Sequence, residues 1–87
     1  MTKETLIDFP CRFPIKIIAI NSPLFIDVVM AKTTQHFSGF TANDLVHQLS
    51  GKNKYIAITV TVFAEHKEQL DAFYHEITKL EHVKMVL

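Results

Sequence analysis

The sequence predicts an α+β domain in which two helices cover one face of a four-stranded antiparallel sheet. Apolar residues alternate with a period of two in four segments and recur at the three-to-four spacing of an amphipathic helix in two others. These segments follow one another in the order β-α-β-β-α-β. The chain has 87 residues, of which 48% are hydrophobic, so it can build one small core and no more.

The first half of the chain is predicted to form a strand, a helix and a more polar strand. Segment 13–20 is rich in β-branched residues, and its second face is only partly polar, as in a central strand. Ser22 is predicted to cap a helix that starts at Pro23 and ends near His36, because proline at the first helical position needs no hydrogen-bond partner. Segment 43–50 is predicted to be a short edge strand.

The second half is predicted to begin with a turn over residues 50–54, where Asn53 can adopt a positive φ. Segment 55–63 shows the most regular alternation in the chain and is predicted to be a strand. Segment 65–80 places its apolar residues in one helical stripe. The alternation in 82–87 predicts a last strand whose odd-numbered residues share one face.

This order of elements predicts the ferredoxin-like sandwich, with strands in the spatial order 4-1-3-2 and both helices on one face. Residues 13–87 form the single domain, preceded by an N-terminal arm of residues 1–12. Two helices with one apolar stripe each can cover one sheet face, so the other face is left open. The alternation assigns these residues to the open face: Lys16, Ile18, Ile20, Tyr55, Ala57, Thr59, Thr61 and Phe63.

The sequence contains no pattern typical of a catalytic or metal site. The five histidines lack the short spacings of metal ligands, and the carboxylates of the second helix fall on its outer side. Nucleophile, zinc and phosphate-loop motifs are absent. We therefore expect no enzymatic activity, no cofactor and no metal.

The charge and the cysteine content limit which partners and which cellular compartment we expect. Nine basic and nine acidic residues give a formal net charge of zero, which argues against nucleic acid and against an anionic membrane. The single cysteine, Cys11, cannot form an internal disulfide. No apolar run reaches the length of a signal peptide or a membrane span. We expect a soluble, cytoplasmic protein.

Two binding sites are predicted. Asn21 and Ser22, at the start of the first helix, are a candidate binding site for a small anionic metabolite. A contiguous apolar patch on an open sheet favours a protein partner, which includes a second copy of the chain. The residues assigned to this partner surface are Lys16, Ile18, Ile20, Tyr55, Thr59 and Phe63.

An alternative use of the open face is the binding of RNA. Four-stranded sheets bind single-stranded RNA by stacking bases on aromatic side chains of the central strands. Lys16, Lys52, Lys54 and Tyr55 would serve this function, although the middle of the third strand carries no aromatic pair. A non-catalytic regulatory or adaptor module is therefore the preferred interpretation.

Several segments also carry a family resemblance. They are Leu6–Pro10, Phe13 with Lys16, the turn residues Ser50, Lys52 and Tyr55, the stretch Ala64–Gln69, Tyr74, and Val83–Leu87. Together they resemble the YbeD-like family of small proteobacterial proteins of unknown function. The resemblance covers almost the whole chain and implies a ferredoxin-like fold similar to ACT-type regulatory domains. Family genes often lie beside genes for lipoate attachment and synthesis, which implies a regulatory role in lipoate metabolism.

The chain departs from the family pattern in the turn before Tyr55. Family members tend to have a glycine shortly before this tyrosine, where this chain has Asn53 and Lys54. Asparagine also adopts the left-handed backbone, so the turn is expected to be kept. The resemblance implies no ligand and no catalytic residue.

Overall fold

The computed structural model of the chain describes residues 10–87, so most of the predicted arm lies outside the described residues. Two helices and four strands form one layer of helices on one antiparallel sheet. The elements are β1 (Cys11–Ile20), α1 (Phe25–His36), β2 (Leu45–Leu49), β3 (Tyr55–Ala64), α2 (Lys67–Thr78) and β4 (Val83–Val86). The strand order is β2-β3-β1-β4, which confirms the predicted arrangement.

The core lies between the helices and one face of the two central strands. Every second residue of β3 and of β1 from Ile15 onward is buried, as the alternation predicts: Ile15, Ile17, Ala19, Ile56, Ile58, Val60, Val62 and Ala64. Helix α2 packs Leu70, Phe73 and Ile77 against them. The Phe73 ring meets the Phe37 ring edge to face, with the ring centroids 5.5 Å apart.

Helix α1 starts differently from the prediction. Its N-terminal cap is Leu24 rather than Ser22, and no side chain donates or accepts a capping hydrogen bond there. The backbone carbonyl of Ser22 accepts a hydrogen bond from the Phe25 N–H at 3.1 Å. The predicted cap is wrong because a backbone turn through Pro23 satisfies this N–H group, so the serine hydroxyl is not needed.

The other boundaries differ by one to two residues. Strand β1 begins at Cys11 instead of residue 13. Residues 42–44 form a 3-10 turn before β2, because the Asp44 carboxylate accepts a hydrogen bond from the Thr41 N–H at 3.2 Å. Helix α2 begins at Lys67, and the Gln69 side chain accepts a hydrogen bond from the N–H of residue 65.

Strand β4 contains a β-bulge that the sequence pattern does not reveal. Val83 pairs with Ala19 and Val86 pairs with Ile17, with a register shift between them. The extra residue lets both valines pack against the core. The prediction that odd-numbered residues of this strand share one face is therefore wrong for Val83.

Asn53 shapes the turn between β2 and β3. Its φ of 56° lies in the left-handed region, which confirms the expectation for this turn. Its N–H donates to the carbonyl of Ser50 at 2.9 Å, and its own carbonyl accepts a hydrogen bond from the Asn21 side-chain amide at 2.9 Å. The turn is thus tied to the end of β1.

We expect the variant Asn53→Ala to lower the free energy of unfolding by roughly 1 kcal/mol, because a left-handed backbone costs most residues about 1–2 kcal/mol. Asn53→Gly is the matched control, since both variants lose the side chain but glycine accepts this φ. Urea denaturation of the three proteins measures the difference. Equal stability of the alanine and glycine variants would contradict the backbone argument.

Candidate partner-binding face

The sheet face opposite the helices holds all six residues of the predicted partner surface. In the register of β1 and β3, Lys16 lies opposite Thr59, and Ile20 lies opposite Tyr55. Ile18 lies between these two rows, opposite an alanine. Neither helix of the described chain packs on this face. The two helices therefore leave this face uncovered.

The structure separates Phe63 from the rest of the predicted surface. Tyr55 and Phe63 stand at opposite ends of β3, about 26 Å apart at about 3.3 Å per residue. Phe63 pairs with Arg12 at the far end of β1. The predicted surface is therefore two regions, and only the one around Tyr55 is continuous with Ile18 and Ile20.

The bulge in β4 adds two apolar side chains to the Tyr55 region. Met85 pairs with Ile18, and Leu87 exchanges backbone hydrogen bonds with Lys16, so both lie on the open face. Their exposed fractions are 52% and 62%. We name the set Ile18, Ile20, Tyr55, Met85 and Leu87 the apolar patch. Sequence reasoning missed Met85 and Leu87, because strict alternation placed them together with the core residue Val83.

A shallow depression lies beside the apolar patch, toward the edge strand β2. Its volume is about 280 Å³, and it is lined by Ile18, Tyr55 and residues of β2 that include Gln48 and Leu49. The depression is mostly apolar, with the Ser50 hydroxyl at its end, where it accepts hydrogen bonds from the Lys54 and Tyr55 N–H groups. It offers space for one side chain of a partner.

Four lysines lie in the strands and the turn that carry the apolar patch: Lys16 in β1, Lys52 and Lys54 in the turn before β3, and Lys84 next to Met85 in β4. The Lys54 ammonium lies 5.9 Å from the centroid of the Tyr55 ring. Within residues 10–87, none of the four forms an ion pair with a carboxylate. The strands and the turn that carry the patch therefore hold these lysines and no acidic side chain, although the chain as a whole is neutral.

On the helical side of the molecule, two of the lysines form ion pairs with carboxylates. Lys32 of α1 lies 3.0 Å from the Glu76 carboxylate of α2, and this hydrogen bond holds the pKa of Glu76 below its usual value. Lys67 pairs with Asp71 one turn later at 2.8 Å. Within residues 10–87, Lys79 at the end of α2 is the one lysine of the helices without an ion pair, whereas the four lysines near the patch all lack one.

The far end of the open face forms a cleft with a different character. The Phe63 cleft has a volume of about 290 Å³ and is lined by Arg12, Phe40, Asp44, Phe63, Glu65 and neighbouring residues. The Arg12 guanidinium lies 3.2 Å from the Asp44 carboxylate. The hydrogen bond from the Thr41 backbone N–H lowers the pKa of Asp44. This end is slightly acidic and aromatic.

At the predicted metabolite site, the chain itself occupies most of the donors. The Asn21 side-chain amide donates to the Asn53 carbonyl, and the Asn21 N–H donates to the Lys54 carbonyl at 3.0 Å. Ser22 does not cap the helix, as described above. Binding of a small metabolite at Asn21 and Ser22 stays a prediction.

Two further features concern the chain from Pro10 to Leu87. In this part of the chain, no three His, Cys, Asp or Glu side chains gather where they could hold a metal ion. Neither of its helices has the length and apolar character needed to cross a membrane.

The fold and the open face together define a small ferredoxin-like α+β domain that presents one bare sheet surface. The chain belongs to the DUF493 family, also called UPF0250, which is the YbeD-like family that its segments resemble. The family model, described as a protein of unknown function, matches residues 4–87.

Bacterial relatives and a solved structure agree with this assignment. The chain is 38% identical to a UPF0250 protein of Neisseria gonorrhoeae over 85 residues, which span 98% of this chain and 93% of the relative. It is 39% identical to a UPF0250 protein of Paraburkholderia phymatum over 84 residues, which span 97% and 94% of the two chains. The solution structure of HP0495 from Helicobacter pylori superposes with a TM-score of 0.72 and 13% identity, covering 93% of this chain and 85% of HP0495. At 13% identity, the similarity to HP0495 supports the fold of this chain and nothing further.

Proposed function

We propose that the chain is a non-catalytic regulatory or adaptor module that binds another protein through the open face of its sheet. The observation that carries this proposal is the apolar patch, which neither helix covers. Contiguous exposed apolar surface is typical of interaction sites, whereas scattered exposed apolar residues are ordinary. Its apolar centre and charged border match the usual organisation of a protein interface.

The resemblance to the YbeD-like family adds a compartment and a metabolic process to the proposal. We place the module in the cytoplasm, in the regulation of lipoate metabolism, with a small metabolite at Asn21 and Ser22 as a further input. A second copy of the chain is the simplest partner to test, because two copies meet whenever the protein is concentrated.

The experiment compares proteins captured from a lysate of the native bacterium by the tagged wild type and by two variants. We expect the double variant Ile18→Ser and Met85→Ser to lose a bound protein by roughly tenfold or more, because interface energy is concentrated in a few central side chains. The control is Val28→Ser, which changes an exposed apolar residue of α1 on the opposite side. Circular dichroism confirms that each variant is folded.

Equal capture by the wild type and the double variant would contradict the proposal. Analytical ultracentrifugation measures the oligomeric state of the same proteins and so tests whether the partner is a second copy of the chain. A dimer that dissociates in the double variant but persists in Val28→Ser would identify self-association through this face.

RNA binding is the second candidate, because Lys16 lies on the open face, Lys54 lies beside Tyr55, and within residues 10–87 neither they nor Lys52 form an ion pair. It predicts that a labelled single-stranded RNA binds at low salt and dissociates as the salt concentration rises. The separation of Tyr55 from Phe63 opposes it, since successive bases need neighbouring aromatic rings. Absence of binding at low salt would exclude this candidate.

A further inference from the structure

We infer that the partner of the open face is an acidic protein segment that carries apolar side chains. This inference rests on the proposed function and specifies the chemistry of the partner. The contrast between the apolar patch and the lysines of the strands that carry it points to this partner.

The first step is the arrangement of charge. Lys16 lies beside the patch in β1, Lys84 precedes Met85 in β4, and Lys54 precedes Tyr55 in β3. The acidic side chains of the described chain lie outside β1, β3 and β4, although Glu81 adjoins His82, whose carbonyl accepts a hydrogen bond from the Ile20 N–H. They are in the helices, in the turn after α2 and around the Phe63 cleft: Asp27, Asp44, Glu65, Glu68, Asp71, Glu76 and Glu81. A partner that covers the patch must therefore bring its own negative charge to complement these lysines.

The second step concerns a second copy of the chain. If two copies paired face to face, the lysines of one copy would lie close to the lysines of the other copy or close to its Phe63 cleft. The only opposing charge within that cleft's lining comes from Asp44 and Glu65, and Arg12 cancels part of it. Most of the lysine charge would remain unopposed, and like charges across an interface are costly. A partner with excess carboxylates fits this face better than a second copy does.

The third step distinguishes an acidic protein from RNA, since both are negative. Four of the five side chains of the apolar patch are aliphatic: Ile18, Ile20, Met85 and Leu87. Bases need flat aromatic surfaces, whereas leucine, isoleucine and phenylalanine side chains of a peptide pack on aliphatic surfaces. The depression beside Tyr55 also has room for one such side chain. The chemistry of this face therefore favours a protein segment.

The test is a selection of random peptides displayed on phage, with the folded wild-type protein as bait. We expect the enriched peptides to combine aspartate or glutamate with leucine, isoleucine or phenylalanine. The binding of one enriched peptide is then measured by fluorescence anisotropy at increasing salt concentration. Its affinity is expected to fall as salt rises, because the exposed charges are screened.

Charge-reversal variants test the role of the lysines directly. We expect Lys16→Glu and Lys84→Glu each to weaken peptide binding by roughly tenfold, since each replaces an attraction with a repulsion. Lys79→Glu, at the end of α2, makes the same change in net charge away from the patch and is expected to leave the affinity unchanged. All three positions are exposed, so the fold is expected to be kept.

The outcomes separate the inference from the proposed function. Enriched peptides without acidic residues, whose binding still requires Ile18 and Met85, would overturn the inference and leave the proposed function intact. Binding of a labelled single-stranded RNA that depends on Lys16, with no peptide enriched, would overturn both. A dimer in ultracentrifugation that Met85→Ser dissociates would replace the acidic segment with a second copy of the chain.

Discussion

The variant Phe73→Ala is expected to lower the free energy of unfolding by about 3–5 kcal/mol, the usual cost of removing a buried phenylalanine ring. Phe73 is fully buried in α2, where its ring contacts the rings of Phe37 and His36 at centroid distances of 5.5 Å and 5.7 Å. Small domains have only about 5–15 kcal/mol of stability in total. The variant should therefore unfold at a much lower urea concentration or fail to fold.

Phe63→Ala is the matched control, because it removes the same ring from a half-exposed position on the other side of the sheet. We expect it to lower the free energy of unfolding by less than about 1 kcal/mol, since an exposed side chain leaves little cavity. Urea denaturation followed by circular dichroism measures both variants. Similar losses at the two positions would show that the helices do not cover the sheet as described.

The second large effect is expected from Ile17→Thr, which should lower the free energy of unfolding by about 2–4 kcal/mol. Ile17 is fully buried against the helices, so the variant loses apolar packing and buries a hydroxyl group without a partner. An unsatisfied buried polar group alone costs about 1–3 kcal/mol. The same substitution at the neighbouring Ile18, on the open face, is expected to cost less than about 1 kcal/mol.

This pair of variants tests the register of β1, on which the open face depends. A shift of one residue would exchange the two faces of the strand. The large effect would then appear at Ile18 and the small effect at Ile17, and the apolar patch would be part of the core. Thermal or urea denaturation of the two variants decides between these registers.

The strand order and the covered face could be predicted because β1 and β3 alternate without interruption. Ile15 and Ile17 on one strand, and Ile58 and Val60 on the other, leave one assignment of the faces that buries the apolar side chains. Few folds satisfy both this local pattern and the order of the elements. The boundary of α1 was harder, because serine before proline is a capping signal that a backbone turn can replace.

Parts of the candidate site depend on information that the local pattern does not contain. The bulge in β4 arises from pairing with β1, so the positions of Met85 and Leu87 on the open face follow from tertiary structure. The sequence named Lys16, Lys52 and Lys54 as basic residues for the open face, but the net charge of zero conceals this local excess, because it adds residues that the fold places in different parts of the molecule. Phe63 was grouped with Tyr55 because both share a face, although a whole strand length separates them.

The irregular pairing of β4 also determines where additional strands can join the sheet. An added strand needs an evenly spaced row of free backbone groups, and the extra residue disrupts that row along β4. Strand β2 has no such interruption and exposes Val46 and Leu49 along its five residues. We therefore expect a strand that extends the sheet, in a complex or in an aggregate, to add to β2 rather than to β4.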